Sequence, residues 1–406
     1  MKIRTITLFS DLDNIPSRTT AFFETARPAF HVPVQTMRMS TSPFPSWWKT
    51  SHLTSMQIKD ITERCRQIGA DYVSLGSVQL RHDASWLDMI PEIIANSDRV
   101  FVSAEIADRS GHIDIGRCSA MAEVIRRVSV LQPNGFGNLY LATLANCPPG
   151  APLFPVAYHG GGPAHFAIAV EAADIILTAI TSAGTLVEAR SNLIQAIEKE
   201  AGELAKVGED LSARFGIPFS GIDFTPAPFP VADKSVAAAM EALGIPWIGT
   251  PGSLFCAAFI AEAIERADYP SCGFSGLMLT VLEDAVLSLR AGDGRLTIGE
   301  LLSYSAVCGI GLDTVPLPGD IRQDTLAGIL MDVAALAVRL NKPLTARLLP
   351  LPGLVAGDPF HFDFDYFADS RVMSVVDEGV GHMMTQLSRL QFNAIRDYQG
   401  SQQSDA

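Results

Sequence analysis

A chain of 406 residues with 48% apolar and 18% charged side chains holds ample material for a large buried core, which excludes a disordered polymer. Its formal net charge of -14 opposes the phosphate backbone of nucleic acid and anionic lipid surfaces, both of which need a positive face. A small-molecule ligand is therefore expected, with no nucleic-acid or membrane partner.

The N-terminal run "MKIRTITLFSDLDN" lacks the unbroken apolar stretch and cleavage site of a signal peptide. Glu171 and Asp174 interrupt the longest apolar run, "HFAIAVEAADIILTAITSAG", so it makes a poor membrane span. A cytoplasmic protein is expected. Six cysteines, at positions 65, 118, 147, 256, 272 and 308, show no C-x-x-C spacing, which argues against a zinc site and a disulfide scaffold.

In chain order, "KIRTITLF" reads as a strand, "MQIKDITERCRQIG" as a helix ending in glycine and "DYVSLGSVQL" as a strand. "LDMIPEIIANS" reads as a helix. "RVFVSAEI" and "NLYLATLAN" are continuous apolar runs of the kind buried in a parallel sheet, with the helix "IGRCSAMAEVIRRVSVL" between them. A long amphipathic helix is expected at residues 191–214. Then follow the strand "FSGIDF", the helix "KSVAAAMEALG", the strand "IPWIGT" and the helix "SLFCAAFIAEAIERA". "GFSGLMLTVLEDAVLSL" starts strand-like and ends helical, "TIGELLSYSAV" is helical, and "RQDTLAGILMDVAALAVRLN" and "LTARLLPLPG" close the series as helix and strand. Repeated βα units imply an α/β protein with a mainly parallel sheet. About ten strand candidates exceed the eight of a (β/α)8 barrel. One domain is expected over residues 1–395, followed by a disordered polar tail at 396–406.

Several constellations could carry chemistry. "AYHGGGPAHF" sets His159 before Gly160, Gly161 and Gly162, whose amides could meet an anion or merely form a tight turn. "SGIDFTPAPFPVADKS" ends a strand on Asp223 ahead of a proline-stiffened loop, where the carboxylate could serve a site or cap a helix. Adjacent Glu283 and Asp284 suit a helix N-terminus better than a shared ion, because successive helical residues point about 100° apart. In "SAVCGIGLDTVPLPGD", Cys308 leaves a helix into a glycine-broken loop that Asp313 could share. No Lys or Arg is adjacent in sequence to depress the thiol pKa, so His159 would have to serve as its base.

The ordered set "KIRTIT", "AYHGGG", "GIDFTPAPFPVADKSVAAAMEALGIPWIGTPGS", "GFSG" followed by "ED", and "VCGIGLDTVPLPGD" resembles the domain of unknown function 711 family from residue 4 to about residue 377. That resemblance implies a pyruvate formate-lyase-like fold: a closed ten-stranded α/β barrel with outer helices and an inner loop, on which Cys308 would sit. Glycyl radical enzymes of that architecture carry a glycine in an "RVxGY"-like C-terminal segment. Here the region reads "RVMSVVDEGVGHMM", and radical chemistry is not expected. Glu105 stands where the resemblance implies an amide side chain, which points to an altered ligand preference.

The leading expectation is an enzyme, a hydrolase, lyase or transferase, acting on a small polar metabolite inside the barrel by non-radical acid/base or thiol chemistry. Cys308, His159, Asp223 and Asp313 are its candidate catalytic residues. Gly160, Gly161, Gly162, Glu105, Ser275, Glu283 and Asp284 are the candidate ligand contacts. Were a divalent cation required, Glu283, Asp284 and Asp313 would offer oxygen ligands suited to magnesium or calcium. The alternative is a non-catalytic small-molecule-binding or regulatory protein using the same cavity; a packed structural scaffold is a third reading. Apolar helices such as "SLFCAAFIAEAI" leave a homo-oligomer open.

Overall fold

The computed structural model describes residues 1–48 and 55–395; the tail expected at 396–406 lies outside them. Nine strands form one continuous path: β1 Lys2–Phe9, β2 Val34–Ser40, β3 Tyr72–Val78, β4 Val100–Ala107, β5 Leu141–Ala145, β6 His165–Glu171, β7 Phe219–Asp223, β8 Gly311–Pro318 and β9 Leu344–Leu351. Their order across the sheet is β7-β6-β1-β2-β3-β4-β5-β9-β8. Two short strands, His112–Asp114 and Arg389–Gln391, are attached beside β4, giving this sheet eleven strands. Neighbours on the path are parallel except β1 with β6 and β5 with β9.

The expected closed barrel is corrected here to an open sheet with free ends at β7 and β8. Residues 270–281 lie against both ends but make only isolated bridges, Ser271 to Ile222 and Thr280 to Asp313. Within that segment Ser275 (φ 42°) and Gly273 (φ 63°) break the extended backbone a ladder requires. The strand-like start of "GFSGLMLTVLEDAVLSL" is therefore irregular. "IPWIGT" is likewise a turn, where Gly249 takes φ 106° with the Arg295 carbonyl 2.1 Å from the position a Cβ would occupy.

Buried strands and amphipathic helices account for the core. All eight residues of β4 are buried, as its apolar run requires of a strand covered on both faces. Helices Ile115–Ser129 and Gln323–Arg339 pack on each other and on neighbouring strands. The long helix runs Leu186–Phe215; Thr185 accepts from the Glu188 N–H at its start, and Gly216 at φ 69° ends it.

Register decides which side chains share a face. Thr7 of β1 pairs with Arg38 of β2, and Arg38 with Tyr72 of β3. Residues 147–163 cross this same face: Thr7 donates from its hydroxyl to the Pro152 carbonyl (2.8 Å), and Ser74 to the Ala157 carbonyl (2.7 Å). The segment lying over the sheet is thus this one, and not the loop of Cys308 that the resemblance implied. Two register shifts fall at arginines. Against β6, Ile3 pairs with Val170 and Thr5 with Ala169, so Arg4 is the extra residue. Against β8, Ala346 pairs with Leu312 and Leu348 with Val315, so Arg347 faces two residues, Asp313 and Thr314. Bulges of this kind re-aim side chains.

Candidate ligand-binding cavity

A cavity of about 120 Å³ lies between the sheet and residues 153–156 of the crossing segment. One wall is charged: Arg4 from β1, Arg38 from β2, Asp313 from β8, Arg347 from β9, and Glu283 from the irregular chain that follows residue 281. The rest of the lining includes the apolar side chains of Phe101, Leu153, Phe154, Met278 and Ile310. Phe364 and Tyr366 reach the cavity from the loop before residue 370.

Arg347 anchors the charged wall. Its Nε lies 2.6 Å from Asp313 Oδ1 and its Nη2 lies 2.9 Å from both Asp313 Oδ2 and Glu283 Oε1. The other Glu283 oxygen accepts from Arg4 Nη2 at 2.5 Å. Arg4 continues the chain of charge: its Nη1 is 3.7 Å from Glu171, and its guanidinium lies 5.2 Å from the centroid of the Tyr366 ring. Arg4 Nη1 is buried without a hydrogen-bond partner among the described residues.

Burial works against the charge of Glu283, Asp313, Arg347 and Arg38, and pairing decides who keeps it. For Glu283 burial alone would raise the pKa, but Arg4 and Arg347 together overcome it and hold the carboxyl below its usual range. Burial pushes Asp313 up, with Arg347 pulling the other way. Burial would lower Arg347, yet Asp313 and Glu283 outweigh it and raise the guanidinium above its ordinary value.

Arg38 differs from its neighbours. Its Nε donates to Thr36 Oγ1 (2.9 Å), and its guanidinium lies 5.0 Å from the Phe154 ring centroid and 5.9 Å from that of Tyr72. Among the described residues it has no carboxylate within ion-pair distance, and the nitrogens beyond Nε bond to no protein group. Burial, followed by repulsion from Arg4, lowers its pKa to about 9, which leaves it a cation at neutral pH.

The backbone at Asp313 is held under strain. Thr314 takes φ 46°, a region β-branched residues avoid, inside a strand. Its Oγ1 shares a hydrogen bond with the Thr280 hydroxyl and accepts from Leu282 N–H at 3.1 Å. These bonds fix the bulge and draw the chain leading to Glu283 against β8.

Of the eleven residues singled out from sequence, the cavity brings together Glu283 and Asp313. Asp313 stands in β8, in a different element from Cys308, so the two do not share a loop. Cys308 is buried after helix Ile298–Ser305; Lys342 Nζ donates to its carbonyl. His159 is buried; its Nε2 lies 3.3 Å from the Gly162 carbonyl, its Nδ1 has no partner among the described residues, and its ring lies 5.4 Å from that of His165. Gly160, Gly161 and Gly162 are exposed, the last two at φ 89° and 85°. Glu105 is buried, accepts from the Leu80 N–H at 2.8 Å, and has its pKa raised chiefly by burial.

Asp223 and Asp284 are spent on backbone. Asp223 accepts from Thr225 N and Oγ1, Phe274 N and Ser275 N, the hydroxyl at 2.5 Å. It thereby fastens the turn that contains Ser275, whose own hydroxyl donates to the Cys272 carbonyl. Only glycine fits at 273 in that turn, since a Cβ would fall 2.1 Å from Asp223 Oδ2. Asp284 caps helix Ala285–Gly292 and also accepts from Ser235 Oγ, Val236 N and Ala237 N at the start of Val236–Ala242, joining two helices. The helix-terminal reading of Asp284 describes this geometry. Among the described residues no group of three or more His, Cys, Asp and Glu is placed to hold a metal ion.

Sequence reasoning passed over Arg4, Arg38 and Arg347. The signal was there: "KIRTITLF", "VQTMRMS" and "LTARLLPL" each place a lone arginine in a strand, and arginine is rarely buried without a partner. No helix among the described residues is long and apolar enough to cross a membrane.

Comparison with known proteins places the sequence in a family. A UPF0210 protein of Pyrobaculum aerophilum is 34% identical over 289 residues, covering 68% of this chain and 63% of that protein. The UPF0210 protein of Methanopyrus kandleri is 30% identical over 315 residues, 74% of this chain and 69% of that protein. That of Neisseria meningitidis serogroup B is 28% identical over 363 residues, 85% and 79% respectively. The match to the Pyrobaculum aerophilum protein thus spans less than two thirds of that relative's length. The family model described as Uncharacterised ACR (DUF711) matches residues 1–365, and the chain belongs to that family.

Proposed function

We propose that the protein binds a small anionic metabolite in the interior cavity, with Arg38 as the anchoring cation. One observation carries this reading: Arg4 and Arg347 are matched by carboxylates, whereas Arg38, on the same wall, has none. Arg38 is half-buried, and a cation drawn partly out of water without a counter-ion carries a desolvation cost that an anionic ligand would offset. The flanking Phe154 and Tyr72 rings partly offset this cost and hold the guanidinium in place.

The geometry favours the binding reading over thiol chemistry. Cys308, His159 and Asp223 do not line the cavity, and among the described residues no hydrogen bond links them to one another. The test is a thermal-shift series with acetate, isobutyrate, succinate and phosphate at constant ionic strength, on wild type and Arg38→Gln. At least one anion should raise the wild-type Tm in a saturable way and leave the variant unmoved. Equal shifts in both proteins, or stabilisation of the wild type by none of the four, would refute the proposal.

A further inference from the structure

Resting on the reading of the cavity as an anion site, we infer that its ligand is a short-chain monocarboxylate: one negative charge on an apolar body of about six non-hydrogen atoms in all. Charge, shape and volume each contribute to this assignment.

The charge follows from the ionic network at the cavity. Arg4, Arg38 and Arg347 line the cavity with Glu283 and Asp313; behind them Glu171 lies 3.7 Å from Arg4 and 3.9 Å from the partly exposed Lys234. One cation is left over, so a monoanion brings the network to neutrality. A phosphate dianion or a dicarboxylate would bring an extra negative charge beside Glu283 and Asp313, and like charges there are disfavoured.

The shape follows from Arg38. With Nε committed to Thr36, the guanidinium offers the edge formed by its two terminal nitrogens. That planar fork matches both oxygens of a carboxylate. The apolar part of the lining, with Phe101, Leu153 and Met278, offers no charge and suits the hydrocarbon end.

The size follows from the volume. An apolar cavity of about 150 Å³ accommodates benzene. At about 120 Å³ this one is smaller and accepts an acid on the scale of butyrate or isobutyrate.

The experiment is calorimetric titration of the wild-type protein with isobutyrate, its neutral isostere isobutyramide, succinate and inorganic phosphate, at pH 7 and fixed ionic strength. Isobutyrate is expected to bind at least tenfold more tightly than each of the others. Arg38→Gln should weaken it by about ten- to a hundredfold, the loss of one charged hydrogen-bonded pair. Should Arg38→Gln not fold, the ligand series on the wild type still decides. Tighter or equal binding of succinate or phosphate overturns the monocarboxylate assignment and leaves the anion site standing. Equal binding of isobutyramide, or no binding by any anion, overturns both.

Discussion

Glu283 and Asp284 are neighbours in sequence and opposites in role. Glu283 turns into the cavity and meets two guanidiniums; Asp284 turns into the helical layer and takes hydrogen bonds from two helix starts. Both are fully buried acids, and neither could be assigned from its residue type. What separates them is the donor: a carboxylate surrounded by N–H and O–H groups of its own fold is spent, while one held by arginines belongs to a charge network that a ligand can complete. Asp223 falls with Asp284, and Asp313 with Glu283.

The comparison is broken most forcefully at Arg347. Arg347→Met removes the partner of two buried carboxylates and should destabilise the protein by about 3–5 kcal/mol in urea unfolding. Adding Asp313→Asn should recover part of that loss, because it removes one of the orphaned charges. No recovery would show that the pair is not coupled. A smaller effect is expected on the structural side: Asp284→Asn sets an amide against converging donors and should cost about 2–3 kcal/mol, without weakening anion binding at Arg38. A loss of affinity in that variant would erase the distinction between the two neighbours.

Acid titration sharpens the comparison further, since the two should respond with opposite sign. The folded state holds Glu283 below its ordinary value of 4.5, so its contribution is complete above that pH and is lost as pH falls through the folded value. Burial, only partly offset by hydrogen bonds, raises Asp284 above 3.8, so folding is penalised as pH rises from 3.8 through the folded value. Stability differences between wild type and Glu283→Gln, and between wild type and Asp284→Asn, should therefore slope in opposite directions near pH 4, by at most about 1.4 kcal/mol per pH unit for each group. Parallel slopes would contradict the assignment. The smallest effect is expected at Thr297, which caps helix Ile298–Ser305 in a reciprocal box with Glu300. Thr297→Ala should cost about 1 kcal/mol and leave ligand affinity unchanged.

Much of the scaffold could be read from periodicity and much of the site could not. "KIRTITLF" is β1 residue for residue, and most helices fall within a few residues of their apolar patterns. β2 escaped because "VQTMRMS" mixes polar and charged residues with only moderate alternation, and β6 because its apolar run merges with the helix after it. Gly309 and Gly311 suggested a loop around Asp313, yet the chain becomes β8 at Gly311, whose φ of 104° brings its backbone against Thr345. The open sheet was hidden by the resemblance, which supplied closure where the chain makes isolated bridges. The arginines were hidden by the bulges: a two-residue period gives no warning that register will shift at Arg4 and beside Arg347.

The most direct test of the anion site is a crystal structure of the protein soaked with 2-bromopropionate, whose bromine can be located by anomalous scattering. The account predicts the carboxylate oxygens within hydrogen-bond reach of the terminal nitrogens of Arg38, and the bromine toward Phe101 and Met278. A fully occupied bromine site elsewhere, with the space beside Arg38 filled only by water, would contradict it.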